Sequence, residues 1–277
     1  MLGSVYCWLF PARPRLRDSC SRHTGMFMSP VSTSGLAPLL RKLQYWASLN
    51  ESDREALLAL PHEVKRLEAG SFIVREGDKP VRGCVMLSGF SYRNKVIVDG
   101  ARQIVALHMR GDLVDLQNAF LGIADHNVQA LTACEVACIP REALRRIAFE
   151  RPAIGTAMWH DTLVDGSIFR EWIANVGRRD ARARLAHVLC EFALRLEAAG
   201  LGDHGSWELP MTQEQLADVV GLTAVHVNRT LRSLTQEGLI KRSKRAIRIT
   251  NWKALAEAGD FTSDYLHLPD DARVLLQ

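Results

Sequence analysis

Along residues 210–250 the apolar positions recur first at helical and then at alternating intervals. Leu216, Val219 and Val220 share one helical face, while Val227, Leu231 and Leu234 fall at i, i+4 and i+7 on another. Thr212 followed three residues later by Gln215 is a capping box, which predicts a helix from about Gln213. Gly221 permits a tight turn because it lacks a Cβ, and Thr223 caps a second helix. Past Gly238, Leu239 with Ile240 and then Ala246 to Ile249 read as two short strands. Between them stand Lys241, Arg242, Ser243, Lys244 and Arg245, so the strands form a hairpin with a cationic tip.

The rest of the chain changes period twice. From residue 38 to 60, leucines and Trp46 recur at helical spacing, with a second short helix expected from Ser52 and Asp53 and stopped by Pro61. Residues 64–140 then alternate in short β-branched runs at 64–68, 71–75, 83–88, 95–98, 103–109 and 129–139, separated by turns at Gly70, Gly77, Gly89, Gly100 and Gly111. Short strands between regular turn signals predict an all-β roll or barrel. Helical spacing returns at 141–149. Pro152 opens a longer helix carrying Ile154, Met158, Leu163, Ile168, Trp172 and Val176, and Gly177 is expected to end it. A further helix over 178–199 has Leu185, Val188, Leu189, Phe192 and Leu196 at core spacing. Residues 200–206 read as a loop. The tail carries Trp252 and Leu255 and the beginnings of a small helix.

Composition narrows the class. At 277 residues, 47% hydrophobic and 24% charged, the chain has material for two cores. A net charge of +4 excludes a polycation, so the positive charge is local, at Arg178, Arg179, Arg182 and Arg184 and at the hairpin tip. No apolar run approaches a transmembrane span, and the placement expected is cytoplasmic, with no membrane partner. Residues 1–35 mix Pro, Arg and Ser without periodicity and are expected to be a disordered tail. The patch from Val5 to Phe10 makes a poor signal peptide, and Met26 and Met28 offer later translation starts. Six scattered cysteines, Cys7, Cys20, Cys84, Cys134, Cys138 and Cys190, build neither a disulfide framework nor a zinc ribbon. Cys134 and Cys138 share a strand face, where two small buried side chains are favoured over a metal pair.

The second helix of the 210–250 stretch holds its apolar side inward and offers Val225, Asn228, Arg229 and Arg232 on the other. Amide and guanidinium groups on a short exposed helix are what reading base edges in the major groove requires. Arg229 is the strongest base reader, since its fork matches the two acceptors of a guanine edge. Asn228 and His226 are assigned to a base edge or to phosphate. Thr212, Gln213, Lys241, Arg242, Lys244 and Arg245 are assigned to phosphate, which gives affinity and register without sequence information. A plain helical hairpin with a solvated charged face would explain the basic run alone; the ordered combination of caps, turn, second helix and basic hairpin reads as a winged helix-turn-helix.

This stretch resembles the DNA-binding domain of the Crp/Fnr superfamily of bacterial transcription regulators. Upstream, AGSFIVREGD, the later RGD and TACEVACI resemble the cyclic-nucleotide-binding roll of the same superfamily. The resemblance implies an α+β chain with an N-terminal roll, a long dimerisation helix and a C-terminal winged helix-turn-helix. The expected domains are a tail over 1–35, a sensor roll over 36–150, a dimerisation helix over 151–177, a DNA-binding domain over 178–254 and a tail over 255–277. It implies double-stranded DNA with a palindromic operator, a homodimer and RNA polymerase as partners. It also implies a signal sensed by the roll that moves the dimer helices and so the recognition helices.

Three departures qualify the resemblance. Nucleotide-responsive relatives carry a Gly-Glu pair after the GD turn and an Arg-Ser or Arg-Thr pair before the last strand; here those positions hold Asp115 with Leu116, and Ala124 with Asp125. A cyclic phosphate needs a cation and its ribose a carboxylate, so cyclic AMP is not the expected ligand, and the effector is open. The cysteine group that some relatives use for an iron–sulfur cluster is also missing, so no cofactor is expected. In the groove, relatives place a glutamate where Val225 stands; valine offers only a methyl surface, so the operator is expected to differ at that step. Competing readings are a signalling or scaffolding protein using the roll for protein contact, and a cupin-like metalloenzyme. His108 and His126 lack the ligand spacing a cupin needs, and the chain is not expected to be an enzyme.

Overall fold

The computed structural model describes residues 35–202, 206–244 and 246–268. The expectations for residues 1–34, including Cys7, Cys20, Met26, Met28 and the Val5 to Phe10 patch, lie outside the described residues. So does Arg245.

Two short helices, α1 (Ala37–Gln44) and α2 (Glu51–Leu58), lead into the roll. The cap of α2 is Asn50, whose side chain accepts from the Asp53 amide at 2.9 Å, so the helix starts ahead of the expected Ser52. Eight strands follow: β1 (Glu63–Leu67), β2 (Phe72–Val74), β3 (Arg82–Ser88), β4 (Ser91–Val96), β5 (Arg102–His108), β6 (Leu113–Val114), β7 (Asn127–Ala130) and β8 (Cys134–Pro140). They form two four-stranded antiparallel sheets, ordered β1-β8-β3-β6 and β2-β7-β4-β5. Val74, Met86, Val114, Val128 and Val136 pack between them.

Two strands depart from the expected pattern. The single strand expected over 129–139 is two strands in different sheets: β7 pairs with β2 and β4, β8 with β1 and β3. No glycine or proline marks the crossing; hydrogen bonds tie it to Phe90, whose carbonyl accepts from Leu131 and whose amide donates to Thr132 Oγ1. The strand expected at 95–98 instead begins at Ser91. Its buried members include Arg93 and Asn94, and such polar residues hide a strand from any reading of apolar alternation.

After the roll come α3 (Arg141–Glu150), α4 (Pro152–Arg178), α5 (Ala181–Ala198), β9 (Ser206–Glu208), α6 (Gln213–Val220), α7 (Ala224–Gln236), β10 (Ile240–Ser243), β11 (Ala246–Ile249) and α8 (Trp252–Ala258). Gly177 does not end α4, which continues through Arg178. The break falls at the extended Arg179, and Asp180 caps α5 by accepting from the Ala183 amide at 2.9 Å. Because α8 spans residue 255, the tail expected to begin there starts inside a helix. β9, expected as loop, is the third strand of the sheet β10-β11-β9, with Trp207 opposite Ile247.

A single apolar cluster joins Ile104 and Leu107 of the roll, Ile168 and Trp172 of α4, Leu185 and Leu189 of α5, and Val227 and Leu231 of α7. Each such side chain contributes about 1.5–3 kcal/mol by leaving water. The tail joins this core through Leu255, Phe261 and Leu266. Tyr265 and Trp172 both donate at 2.8 Å to Glu191, a buried carboxylate of α5. No helix among the described residues is long and apolar enough to cross a membrane.

Candidate nucleic-acid interface

The helical pair at 213–236 is built by its caps. Thr212 accepts from the Gln215 amide at 3.1 Å while Gln215 returns a bond to the Thr212 amide at 2.8 Å, the full capping box. Gly221 takes φ +64°, a conformation costly for a residue with a Cβ, and turns the chain. Thr223 then caps α7 at the His226 amide, 3.2 Å away. Val227, Leu231 and Leu234 are buried against α5 and α6.

With its inner face fixed, α7 projects the opposite one into solvent. Val225 is 82% exposed. Arg229 and Arg232 are exposed and engaged by no hydrogen bond or ion pair among the described residues. Asn228 is different: its amide donates to Gln213 Oε1 at 3.1 Å, so the base-edge candidate on α7 and the phosphate candidate at the start of α6 are linked. His226 is half-buried at the first turn of α7.

The hairpin adds charge beside α7. Lys241, Arg242 and Lys244 are exposed. Antiparallel register places Lys241 opposite Arg248 and Ser243 opposite Ala246 on the outward face, whereas Arg242 opposes the buried Ile247. Arg248 is therefore a cation of this surface that the basic run did not include; strand alternation from Ala246 was the signal that could have found it.

Of the basic cluster expected around the start of α5, Arg178 is exposed and engages no hydrogen bond or ion pair among the described residues, whereas the other three are taken. Arg179 is bound to Glu171 at 2.7 Å and Asp260 at 3.0 Å, and Arg182 is paired with Glu237. Arg184 donates to the backbone carbonyls of Arg179 and Val220. These guanidiniums hold the DNA-binding end to α4, the tail and α7, and charge counted along the sequence could not reveal their partners.

Inside the roll, Asp115 stands at φ +60° and 1% exposure. It accepts from His126 Nε2 at 2.7 Å and from Arg93 at 3.2 Å. Burial alone would raise its pKa, but the hydrogen bond from His126 and the charge of Arg93 hold it below the usual range. The arginine lies 5.3 Å from the Phe169 ring of α4. The Asp115 carboxylate, one residue before the ribose-carboxylate position that Leu116 occupies, and the nearby cation thus neutralise each other, while Asp125 is exposed and turned to His126. These residues do not fit a cyclic nucleotide: its phosphate would meet no free cation. His108 is buried, and burial first, then Arg93, bring its pKa down to about 3.

Cys134 and Cys138 both lie in the core of the roll, and the Cys138 sulfur is 3.2 Å from that of Cys84, opposite it on β3. Among the described residues no three His, Cys, Asp or Glu side chains converge as metal ligands.

A roll followed by a long helix and a winged helix-turn-helix defines the class of DNA-binding transcription regulators with a nucleotide-binding-like sensor domain. Comparison with known proteins agrees. The family model for the cyclic nucleotide-binding domain matches residues 64–151, and that for the Crp-like helix-turn-helix domain matches residues 183–258. The transcriptional activator protein FnrL of Cereibacter sphaeroides is 28% identical over 215 residues, covering 76% of this chain and 86% of that protein. The fumarate and nitrate reduction regulatory protein of Escherichia coli is 25% identical over 217 residues, covering 78% and 86%. The structure of FixK2 from Bradyrhizobium japonicum shares the fold with a TM-score of 0.68 at 24% identity, covering 73% of this chain and all of that one. The chain belongs to the Crp/Fnr family of transcription regulators.

Proposed function

We propose that the protein binds a two-fold symmetric site on double-stranded DNA as a homodimer and regulates transcription there in the cytoplasm, with RNA polymerase as its partner, and that it is not an enzyme. The observation that carries the reading is the exposed, unpaired Arg229–Arg232 face of α7 beside the Lys241–Arg248 hairpin face. Arg229 reads a guanine edge, and Val225 meets an apolar edge such as a thymine methyl. Thr212, Gln213, Arg242 and Lys244 track phosphate, with Arg248 added and His226 at the groove edge. Asn228 acts through Gln213 as well as toward DNA.

The homodimer rests on α4. Trp159, Leu163 and Ile173 are 64%, 50% and 69% exposed. They follow a four–three spacing with Gly166, Arg170 and Gly177, the seam of two helices packed along their length. Residues 36–150 act as sensor and 151–177 as dimerisation helix; 178–254, with the segment through 268, acts as the DNA-binding unit. The effector is not cyclic AMP, since Asp115 and Asp125 offer its phosphate no partner. Selecting bound sequences from a random DNA pool tests the proposal. An inverted repeat bound by two chains is expected, and salt-insensitive or sequence-blind binding would sink it.

A further inference from the structure

A cavity of about 330 Å³ lies outside the roll, between α1, the turn ahead of β6, α4, the end of α5 and the segment after Leu266. That volume suits a small organic molecule. Along one face of α4, Asp161, Val164, Asp165 and Ile168 line it at i, i+3, i+4 and i+7, and Trp46 and Met109 complete an apolar wall. At one end the Tyr45 hydroxyl donates to the Ala198 carbonyl at 2.7 Å and ties α1 to α5.

Two of the cations around this space are taken by neighbouring acids. Lys42 bonds Asp112 at 2.7 Å and Asp161 at 2.9 Å. Arg195 reaches the Leu107 carbonyl at 2.7 Å, Asp112 at 3.4 Å and Glu191 at 3.3 Å. Arg41, exposed, and Arg110, half-buried, stand at the lining as well and engage no hydrogen bond or ion pair among the described residues. The Asp165 carboxylate likewise makes no hydrogen bond or ion pair among the described residues. Burial and then the neighbouring Asp161 push its pKa up to about 6, although Lys42 and Arg93 act the other way and only Asp112 adds to the rise. That carboxyl therefore has no cation bound to it, while Lys42 and Arg195 are held by Asp112, Asp161 and Glu191.

We infer that this cavity binds a small primary amine with an aromatic body, its ammonium on Asp165 and its ring against Trp46, Met109, Val164 and Ile168. A divalent cation would need several free oxygens, and Asp112 and Asp161 are already held by Lys42. An anion would find Lys42 and Arg195 taken and Asp165 repelling it; Arg41 and Arg110 are left to it, and titration with phenylacetate measures that alternative. Because the cavity is bounded by α4 and by the end of α5, an occupant bridges the proposed dimerisation helix and the DNA-binding unit. It would thus act as an effector, a consequence that rests on the regulator reading above.

The test is calorimetric titration of the full chain with phenethylamine, phenethyl alcohol and phenylacetate at neutral pH. The amine is expected to bind at least about tenfold more tightly than either relative. Asp165→Asn is expected to remove that preference while leaving the weak binding of the alcohol, and Asp165→Glu is expected to keep the preference. Amine affinity should fall as pH drops through about 6 and Asp165 takes up a proton. Thermal melts of each variant verify folding. No binding, equal binding of amine and phenylacetate, or an amine preference that survives in folded Asp165→Asn overturns the site. A gel shift without amine tests the DNA reading separately. If DNA is bound and saturating amine leaves its affinity unchanged, the effector consequence is overturned.

Discussion

Arg102 on β5 of the roll donates its Nε to the Asp218 carboxylate on α6 at 2.7 Å. The adjacent Gln103 donates to the carbonyls of Asp218 and Val219 at 2.7 and 3.2 Å, satisfying orphan acceptors at the end of α6. The roll is thereby fastened to the first helix of the helix-turn-helix pair.

Arg102→Ala and Asp218→Ala should each loosen this fastening. Urea melts of the two single variants and the double are expected to give a coupling of about 1 kcal/mol, modest because the pair is partly solvated. DNA affinity should change without change in the salt slope, since neither side chain is assigned to phosphate. Additive single effects would mean that the bond contributes nothing.

At the groove, Arg229→Ala is expected to cost about 1–3 kcal/mol on the selected site and to relax specificity at one base step. Lys241→Ala should weaken cognate and scrambled DNA alike and lower the salt slope by about 1. Titrations at several salt concentrations on both sequences distinguish the roles. Equal loss on both sequences for Arg229→Ala would remove it as a base reader.

Leu163→Glu together with Ile173→Glu should give a folded monomer, because four buried like charges would face each other along the α4 seam. Light scattering measures the mass, and circular dichroism checks the fold. A dimer that persists places the two-fold contact elsewhere.

Two aspartates of α4 and its surroundings should respond oppositely to acid. Burial would raise the pKa of Asp112, but Lys42 and Arg195 outweigh it and bring it to about 2. Its contribution is present above the ordinary carboxylate range and lost as pH falls through about 2. Asp165, raised to about 6, stabilises below the ordinary range and loses that contribution as pH rises through about 6. Asp165→Asn should therefore be more stable than the parent at about pH 7.5, by up to roughly 3 kcal/mol. That gain should shrink by about 2 kcal/mol at about pH 4.5. Chemical melts at both values check it, and a pH-independent difference would contradict the assignment.

The caps and turns were legible because their signals are local. Thr212 with Gln215, Gly221 and Thr223 each act within four residues, and the structure places every one of them where the pattern predicts. The buried stripe of α7 was equally plain, since a helix's apolar side must be covered by something whatever the partner is. Gly177 misled because glycine weakens a helix without ending one; the stop falls at the extended Arg179, where Asp180 caps the next helix.

By itself, then, the sequence determined most of the element order, a β-rich segment followed by a helix pair, and the face of α7 that meets solvent. These follow from short-range periodicity and capping, whereas the family was legible through the resemblance of its motifs. Only the tertiary structure decided which charges are free. It tied up Arg179, Arg182 and Arg184, cancelled Arg93 against Asp115, joined Asn228 to Gln213, added Arg248 to the hairpin face and left Asp165 alone beside a cavity. Arg93 finds Asp115 across 22 residues, and Arg179 finds Asp260 across 81. A charge acts through its neighbours in space, and those are set by folding.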